Sequence, residues 1–302
     1  MLQWLPTPIL GAVTSLILLI NLLVWMVPVY ALILVKLFVR GAARDRVSRW
    51  IASAAQQWAA INVWVWRRLV DIDWQIRGVS DLDREGQYLV IANHQSWVDI
   101  PMLMAAFDRR APFFKFFIKQ ELIWVPILGL VWWGLDFPFM KRYSAAQIAK
   151  NPSLRGKDLE TTKRACEKYR NQPVTILNFL EGTRFTAAKH QRQASPYPQL
   201  LRPRAGGFAF ALSALGPRLD AMLDVTIVYP DGAPKGLWQL MSGQMRRVII
   251  EVKQIRIPTP LFEGDYAGDP GFRGELKKWV DALWQEKNAR IEELKQESGA
   301  AG

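Results

Sequence analysis

The 302 residues contain only two histidines, and one of them, His94, follows the apolar run 88–92 and stands five positions before Asp99. A histidine oriented by a carboxylate is a general base suited to neutral pH. On a regular helix, five positions separate two side chains by ~140°, so His94 and Asp99 converge only if part of the segment is non-helical. Pro101 favours that, because proline prefers the first helical turn. A helix starting near Asp99 or Ile100 leaves residues 94–98 free to bend back. Two plainer readings compete: Asp99 could cap the helix, with Ser96 and Asp99 as a capping box, and His94 could be a satisfied structural histidine.

A second candidate is Glu181-Gly182-Thr183-Arg184, which leaves another apolar run, 174–179. Gly182 permits a tight turn and close backbone approach. Arg184 then presents a forked donor suited to a phosphate; the plain alternative is a salt bridge to Glu181. Lys119 and Arg142 each close an apolar, strand-like run as well. Three cations at strand ends point to one anionic pocket, against three separately solvated charges. His190 has no carboxylate nearby in sequence and reads as a loop histidine. The single cysteine, Cys166, excludes an intrachain disulfide framework and a multi-cysteine zinc site, and its polar, helix-like surroundings favour a helical cysteine over a catalytic thiol.

The elements that must position these residues alternate in type. Strand patterns fall at 72–77, 88–92, 113–118, 136–140, 174–179, 225–229 and 248–255. Helical patterns fall at 101–107, 144–150, 159–169, 208–215 and 274–295. This is the signature of an α/β domain around a mixed, mostly buried sheet flanked by helices, and strand ends are where such domains place ligands and catalysts. Residues 9–35 carry no charge and the apolar character continues to Val39, more than the ~20 residues that span a bilayer. This predicts a retained N-terminal membrane helix, with Asn21 and Pro28 leaving a kinked or re-entrant form open. Lys36, Arg40, Arg44, Arg46 and Arg49 follow it and place the remainder in the cytoplasm. Next comes an amphipathic stripe, Trp50, Ala54, Trp58, Ile61, Val65 and Leu69, of a helix that packs on the domain, lies on the bilayer, or does both. The apolar stretch 125–140 holds Gly129, Gly134, Asp136 and Pro138, and reads as a buried turn and strand rather than a second span. The expected parts are an anchoring segment (1–40), a basic interfacial helix (41–70), the α/β domain (71–295) and a flexible tail (296–302). A net charge of +12 and 14 tryptophans fit an anionic membrane surface. Nucleic acid is disfavoured as a partner, because the basic residues gather beside the apolar segment and at strand ends without a nucleic-acid motif.

Taken in order, Asn93-His94-x4-Asp99, a strand ending at Arg142, Glu181-Gly182-Thr183-Arg184 and an apolar run ending at Pro230 resemble the four blocks of the glycerolipid acyltransferases. The likeness is closest to the 1-acylglycerol-3-phosphate (lysophosphatidic acid) acyltransferases and covers roughly residues 72–230, about half of the chain. The resemblance implies that His94 is the general base and Asp99 its orienting partner. It implies that Arg184, Lys119 and Arg142 hold the acceptor phosphate, with Arg204 of the 203–207 element as a further phosphate ligand. Glu181, Gly182 and Thr183 would shape the acceptor site, and Pro230 with the strand before it would support the cleft. The second block ends Phe139-Met140-Lys141-Arg142, which leaves open whether Lys141 or Arg142 reaches the substrate. The implied reaction moves a fatty acyl group from acyl-CoA or acyl-carrier protein to the sn-2 hydroxyl of lysophosphatidic acid, with no cofactor and no metal. Backbone N–H groups near Asn93 or Gly182 are expected at the oxyanion. The alternatives are another lysophospholipid or lipid alcohol as acceptor, and a non-catalytic lipid-binding membrane protein on the same fold.

Overall fold

The computed structural model of the chain describes residues 4–79, 82–140, 150–151, 169, 172–266 and 268–300. An unbroken apolar run such as Tyr88 to Ala92 suits a strand covered on both faces, and these residues lie in β2 (Gln87–Ala92). With β1 (Asp73–Arg77), β3 (Phe114–Phe116), β6 (Val174–Phe179), β7 (Ala221–Val228) and β8 (Arg247–Ile255), it forms a six-stranded sheet of order β1-β8-β7-β2-β6-β3. The neighbouring pairs run parallel except β7 with β8, so the sheet is mixed. Two short strands, β4 (Ile118–Lys119) and β5 (Phe139–Met140), pair apart from it. In β2 the register sets Ala92 opposite Phe179 of β6 and Val225 of β7. The chains leaving β2 and β6 therefore emerge side by side at one sheet edge.

Successive strand residues point to opposite faces, and both faces are covered. Tyr88, Val90 and Ala92 pack with Val63 and Trp66 of α2 (Gly41–Leu69) and Met102 and Leu103 of α3 (Asp99–Ala106). Leu89 and Ile91 face α6 (Ala205–Leu215) and α8 (Pro270–Ala300), whose Phe208, Leu212 and Trp284 are buried with them. Each such apolar side chain contributes about 1.5–3 kcal/mol on burial. Lys287 of α8 reaches back to the sheet, pairing with Asp224 at 2.5 Å and donating to the Val225 carbonyl at 2.7 Å.

The uncharged N-terminal stretch forms α1 (Thr7–Phe38), continuous through Pro28. A turn at Gly41, with φ +55°, folds α2 back along it. Asn21 donates to Asn62 Oδ1 (2.7 Å) and to the Trp58 carbonyl (3.1 Å), so this polar side chain in the middle of α1 is satisfied by α2. The other contacts of α1 are to the domain. At one end, a Cβ on Gly11 would lie 2.7 Å from the Trp238 ring of α7 (Leu237–Met241). At the other, Lys36 is buried, bound to Asp136 (2.6 Å) and the Gly134 carbonyl (2.7 Å) beside α4 (Leu128–Gly134).

Five sequence expectations change. The buried face of α2 is wider than the stripe: Ala54 and Val65 are buried as expected and Trp50 and Ile61 are exposed, but Ile51, Ala55, Val63 and Trp66 are buried too, because the helix has both α1 and the domain to cover. Lys36 is neutralised internally and does not belong to the cationic group available to lipid. Residues 113–118 are split between two sheets. The stretch 125–140 holds the expected turn and strand only in its second half, where buried Leu135 and Phe137 lead to β5; its first half forms α4 with an exposed apolar face. Residues 296–300 continue α8, with Glu297 paired to Arg77 and Arg290. The helices read at 144–150 and 159–169, and Cys166, lie outside the described residues, apart from positions 150 and 169.

Candidate active site

His94 leaves β2 where Glu181 leaves β6, and a turn of hydrogen bonds closes between them. The His94 backbone N–H donates to Glu181 Oε1 (2.7 Å), and the Leu201 N–H donates to Oε2 (3.0 Å). Glu181 is fully buried, and burial pushes its carboxyl up to about 7 despite these two donors. It therefore shapes the site from behind, by fixing the His94 backbone, and makes no salt bridge to Arg184 among the described contacts. Asn93 clamps the same loop to β7, exchanging two hydrogen bonds with the Ile227 backbone (2.9 and 2.8 Å).

The bend required between His94 and Asp99 is present, because α3 begins at Asp99. His94 Nδ1 lies 2.8 Å from Asp99 Oδ2, which also accepts the N–H groups of Gln95 (2.6 Å) and Ser96 (2.9 Å). Val98 stands at the N-cap of α3 without a side-chain cap, so Asp99 Oδ2 gathers the imidazole and the loop before the helix and does not cap the helix itself. The other, Oδ1, accepts the Tyr229 hydroxyl at 2.7 Å. Tyr229 is completely buried, and burial raises its phenol well above the usual value, so it stays a donor. With the carboxylate accepting from Nδ1–H, the unprotonated ring nitrogen is Nε2. No described protein group bonds to Nε2, and the ring stacks on Phe179 at 4.0 Å.

Gly182 adopts φ +64° in the turn after β6, and a Cβ there would meet Arg204 Cδ at 3.1 Å. Arg204 is thereby placed against the Glu181–Arg184 turn, with its N–H on the Leu180 carbonyl (2.7 Å). The Arg184 guanidinium lies 4.1 Å from the centre of the Trp97 ring, within the His94–Asp99 loop. A cation seated on an aromatic face keeps its N–H edge free for an anion. Thr183 and the Arg184 carbonyl both accept from Lys189 Nζ (2.8 and 2.9 Å). Pro230 follows Tyr229 directly and turns the chain out of β7.

Two expected groups are not joined to this cluster. Lys119 is exposed at the end of β4, and no described contact connects it to His94, Asp99 or Arg184. Arg142 and Lys141 lie outside the described residues. Of the backbone N–H groups near Asn93 and Gly182, those of His94, Gln95, Ser96 and Gly182 already have acceptors. His190 accepts no catalytic partner and instead meets the Tyr197 carbonyl (2.9 Å). Sequence alone singles out neither Tyr229 nor Trp97. A polar-tipped ring ending an otherwise apolar strand, and a tryptophan between His94 and Asp99, were the available signals.

An apolar cavity of about 250 Å³ opens nearby. Ile100 and Met104 of α3 line it with Trp25 and Val29 of α1 and Val131 of α4. Among the described residues, no group of three or more His, Cys, Asp or Glu is placed to hold a metal ion.

The chain is 27% identical over 217 residues to mouse (Mus musculus) 1-acyl-sn-glycerol-3-phosphate acyltransferase delta, covering 68% of this chain and 52% of the relative. It is 28% identical over 217 residues to 1-acyl-sn-glycerol-3-phosphate acyltransferase 3 of Arabidopsis thaliana, with the same coverage. The chain spans about half the length of these relatives. The crystal structure of the 1-acyl-sn-glycerophosphate (LPA) acyltransferase PlsC from Thermotoga maritima shares the fold, with TM-score 0.56, 17% identity, and coverage of 95% of this chain and 98% of that one. The Acyltransferase family model matches residues 73–230, which runs from the first residue of β1 to the proline behind Tyr229 and takes in the whole His94–Arg184 cluster: the chain belongs to the Acyltransferase family.

Proposed function

We propose that this protein is a membrane-bound acyltransferase that moves a fatty acyl group from acyl-CoA or acyl-carrier protein to the sn-2 hydroxyl of lysophosphatidic acid, giving phosphatidic acid. The observation that carries the reading is the Tyr229–Asp99–His94 chain of hydrogen bonds, which ends on a ring nitrogen without a partner among the described residues. His94 Nε2 takes the proton of the acceptor hydroxyl while the oxygen attacks the thioester carbonyl carbon. The tetrahedral intermediate then collapses, the C–S bond breaks, and the imidazolium returns its proton to the departing thiolate. No covalent enzyme intermediate and no cofactor is needed. Arg184, held flat on Trp97 one loop away, offers its edge to the acceptor phosphate, and Arg204 stands beside it. The apolar cavity beside α3 suits an acyl chain. The exposed apolar face of α1 and the arginines of α2 seat the protein at the cytoplasmic face of a membrane.

The test supplies purified protein with a panel of lysolipids and lipid alcohols and with both thioester donors, and identifies products by mass spectrometry. Phosphatidic acid should dominate. His94→Ala should lose at least ~100-fold in turnover, the scale of general-base catalysis, without leaving the membrane. Retention of more than about a tenth of wild-type turnover removes His94 from the mechanism, and preference for an acceptor without a phosphate monoester removes the assigned substrate.

A further inference from the structure

Residues 122–135 read Leu-Ile-Trp-Val-Pro-Ile-Leu-Gly-Leu-Val-Trp-Trp-Gly-Leu, fourteen positions without a charge. That is too short to cross a bilayer, and an apolar run of this length belongs either in a protein core or at a membrane interface. The core is excluded by exposure: Trp124 is 85% exposed, Ile127 58%, Leu128 47% and Leu130 41%. Nor is the segment loosely attached. Ile127 is held at φ +70°, a conformation costly for a β-branched residue, which persists only where its surroundings over-determine it. Its carbonyl accepts from the Tyr30 hydroxyl of α1 at 2.9 Å. At the far end of α4, Lys36 of α1 grips the Gly134 carbonyl and Asp136. The segment is thus fastened at two points to α1, and Tyr30, which makes one of them, shares its helix face with the exposed Leu23, Val27 and Leu34.

We propose that residues 122–130 are a second membrane-inserting element, entering the same leaflet as α1. The inference rests on the membrane reading given above and deepens it. The occupant is lipid rather than protein, because the patch is tied to that exposed face of α1 and ends in tryptophan, which favours the boundary between headgroups and hydrocarbon. Ile127 and Leu128 belong both to the exposed patch and to the wall of the apolar cavity, so insertion turns that wall toward lipid.

The experiment places an environment-sensitive NBD label on single cysteines in the full chain, with Cys166→Ser removing the native thiol. Three positions are compared: Trp124→Cys, Val24→Cys on the exposed side of α1, and Lys253→Cys on the domain. Each protein is bound to phosphatidylcholine–phosphatidylglycerol vesicles containing doxyl-labelled lipid. Quenching at position 124 should match that at position 24 and exceed that at position 253 severalfold. If 24 is quenched but 124 behaves as 253, the inserting element is wrong and membrane binding by α1 stands. If neither is quenched, the membrane reading fails and the proposal with it. A blue shift at 124 in detergent that grows with protein concentration and is indifferent to lipid reveals a second copy on the patch, and also overturns the proposal. Independently, Trp124→Glu should lower vesicle partitioning about tenfold while turnover in detergent micelles is kept; wild-type partitioning counts against it.

Discussion

At the scale of single residues, the site is built from two carboxylates with different work. Asp99 collects four donors and faces the imidazole, whereas Glu181 is sealed behind the loop and holds only backbone. Desolvation lifts the Glu181 carboxyl from its ordinary 4.5 to about 7, and the sign of the consequence follows. A folded-state value above the unfolded one gives stability that is fully present below the unfolded value and lost as the pH rises through the folded one. Wild type should therefore lose roughly 3 kcal/mol relative to Glu181→Gln between pH 4.5 and pH 7.5. Denaturant titrations of both proteins across that window measure it, and a pH-independent difference would show that Glu181 does not titrate there. His94 and Asp99 were legible because their types and spacing carry their chemistry. The work of Glu181 was not, because burial and backbone partners 20 and 87 positions away leave no local mark. Tyr229 escaped notice for the same reason, reaching Asp99 across 130 positions.

At the scale of elements, unbroken apolar runs made β2 and β6 readable, since a strand buried on both faces carries its environment in its composition, whereas β1, an edge strand with no buried residue, was marked only by its place in the alternation. Where an element depends on a distant partner, the sequence misleads. The glycines and proline of 125–140 suggested a turn and strand, yet residues 128–134 become α4 ahead of them, with α1 supplying Lys36 and Tyr30 to fasten it. The Lys36–Asp136 pair is nearly dry, with side-chain exposures of 0% and 15%. Removing one member of such a pair strands the other charge, at a cost of about 3–5 kcal/mol, whereas removing both is close to neutral. Lys36→Met should lower stability by that amount in detergent, and Lys36→Met with Asp136→Asn, which keeps a side chain suited to φ +60° at position 136, should regain most of it. A single variant as stable as wild type would mean that the pair does not tie α4 to α1.

At the scale of the whole molecule, α1 is long enough to cross a membrane but is fastened as if it lay along one. Its contacts with the domain come at Gly11, against Trp238, and at Lys36, against Asp136. Those positions are roughly 38 Å apart at ~1.5 Å per residue, longer than a hydrocarbon core of ~30 Å. A transverse helix would put Trp238 and Asp136 on opposite sides of the bilayer, although both belong to the one domain that α2 and the sheet hold together. Lying in a single leaflet satisfies both contacts at once, keeps Asn21 on Asn62 and away from lipid, and leaves the apolar flank of α1 free to face hydrocarbon. The two orientations separate in a labelling experiment on sealed vesicles of known sidedness, with Cys166 replaced by serine. Cysteines introduced at Trp4, which is exposed ahead of α1, and at Arg44, which is exposed after it, are treated with a membrane-impermeant maleimide. Both should react from the cytoplasmic side and neither from the other. Reaction of position 4 only from the opposite side would establish a crossing helix and require the Gly11–Trp238 contact to open in the membrane.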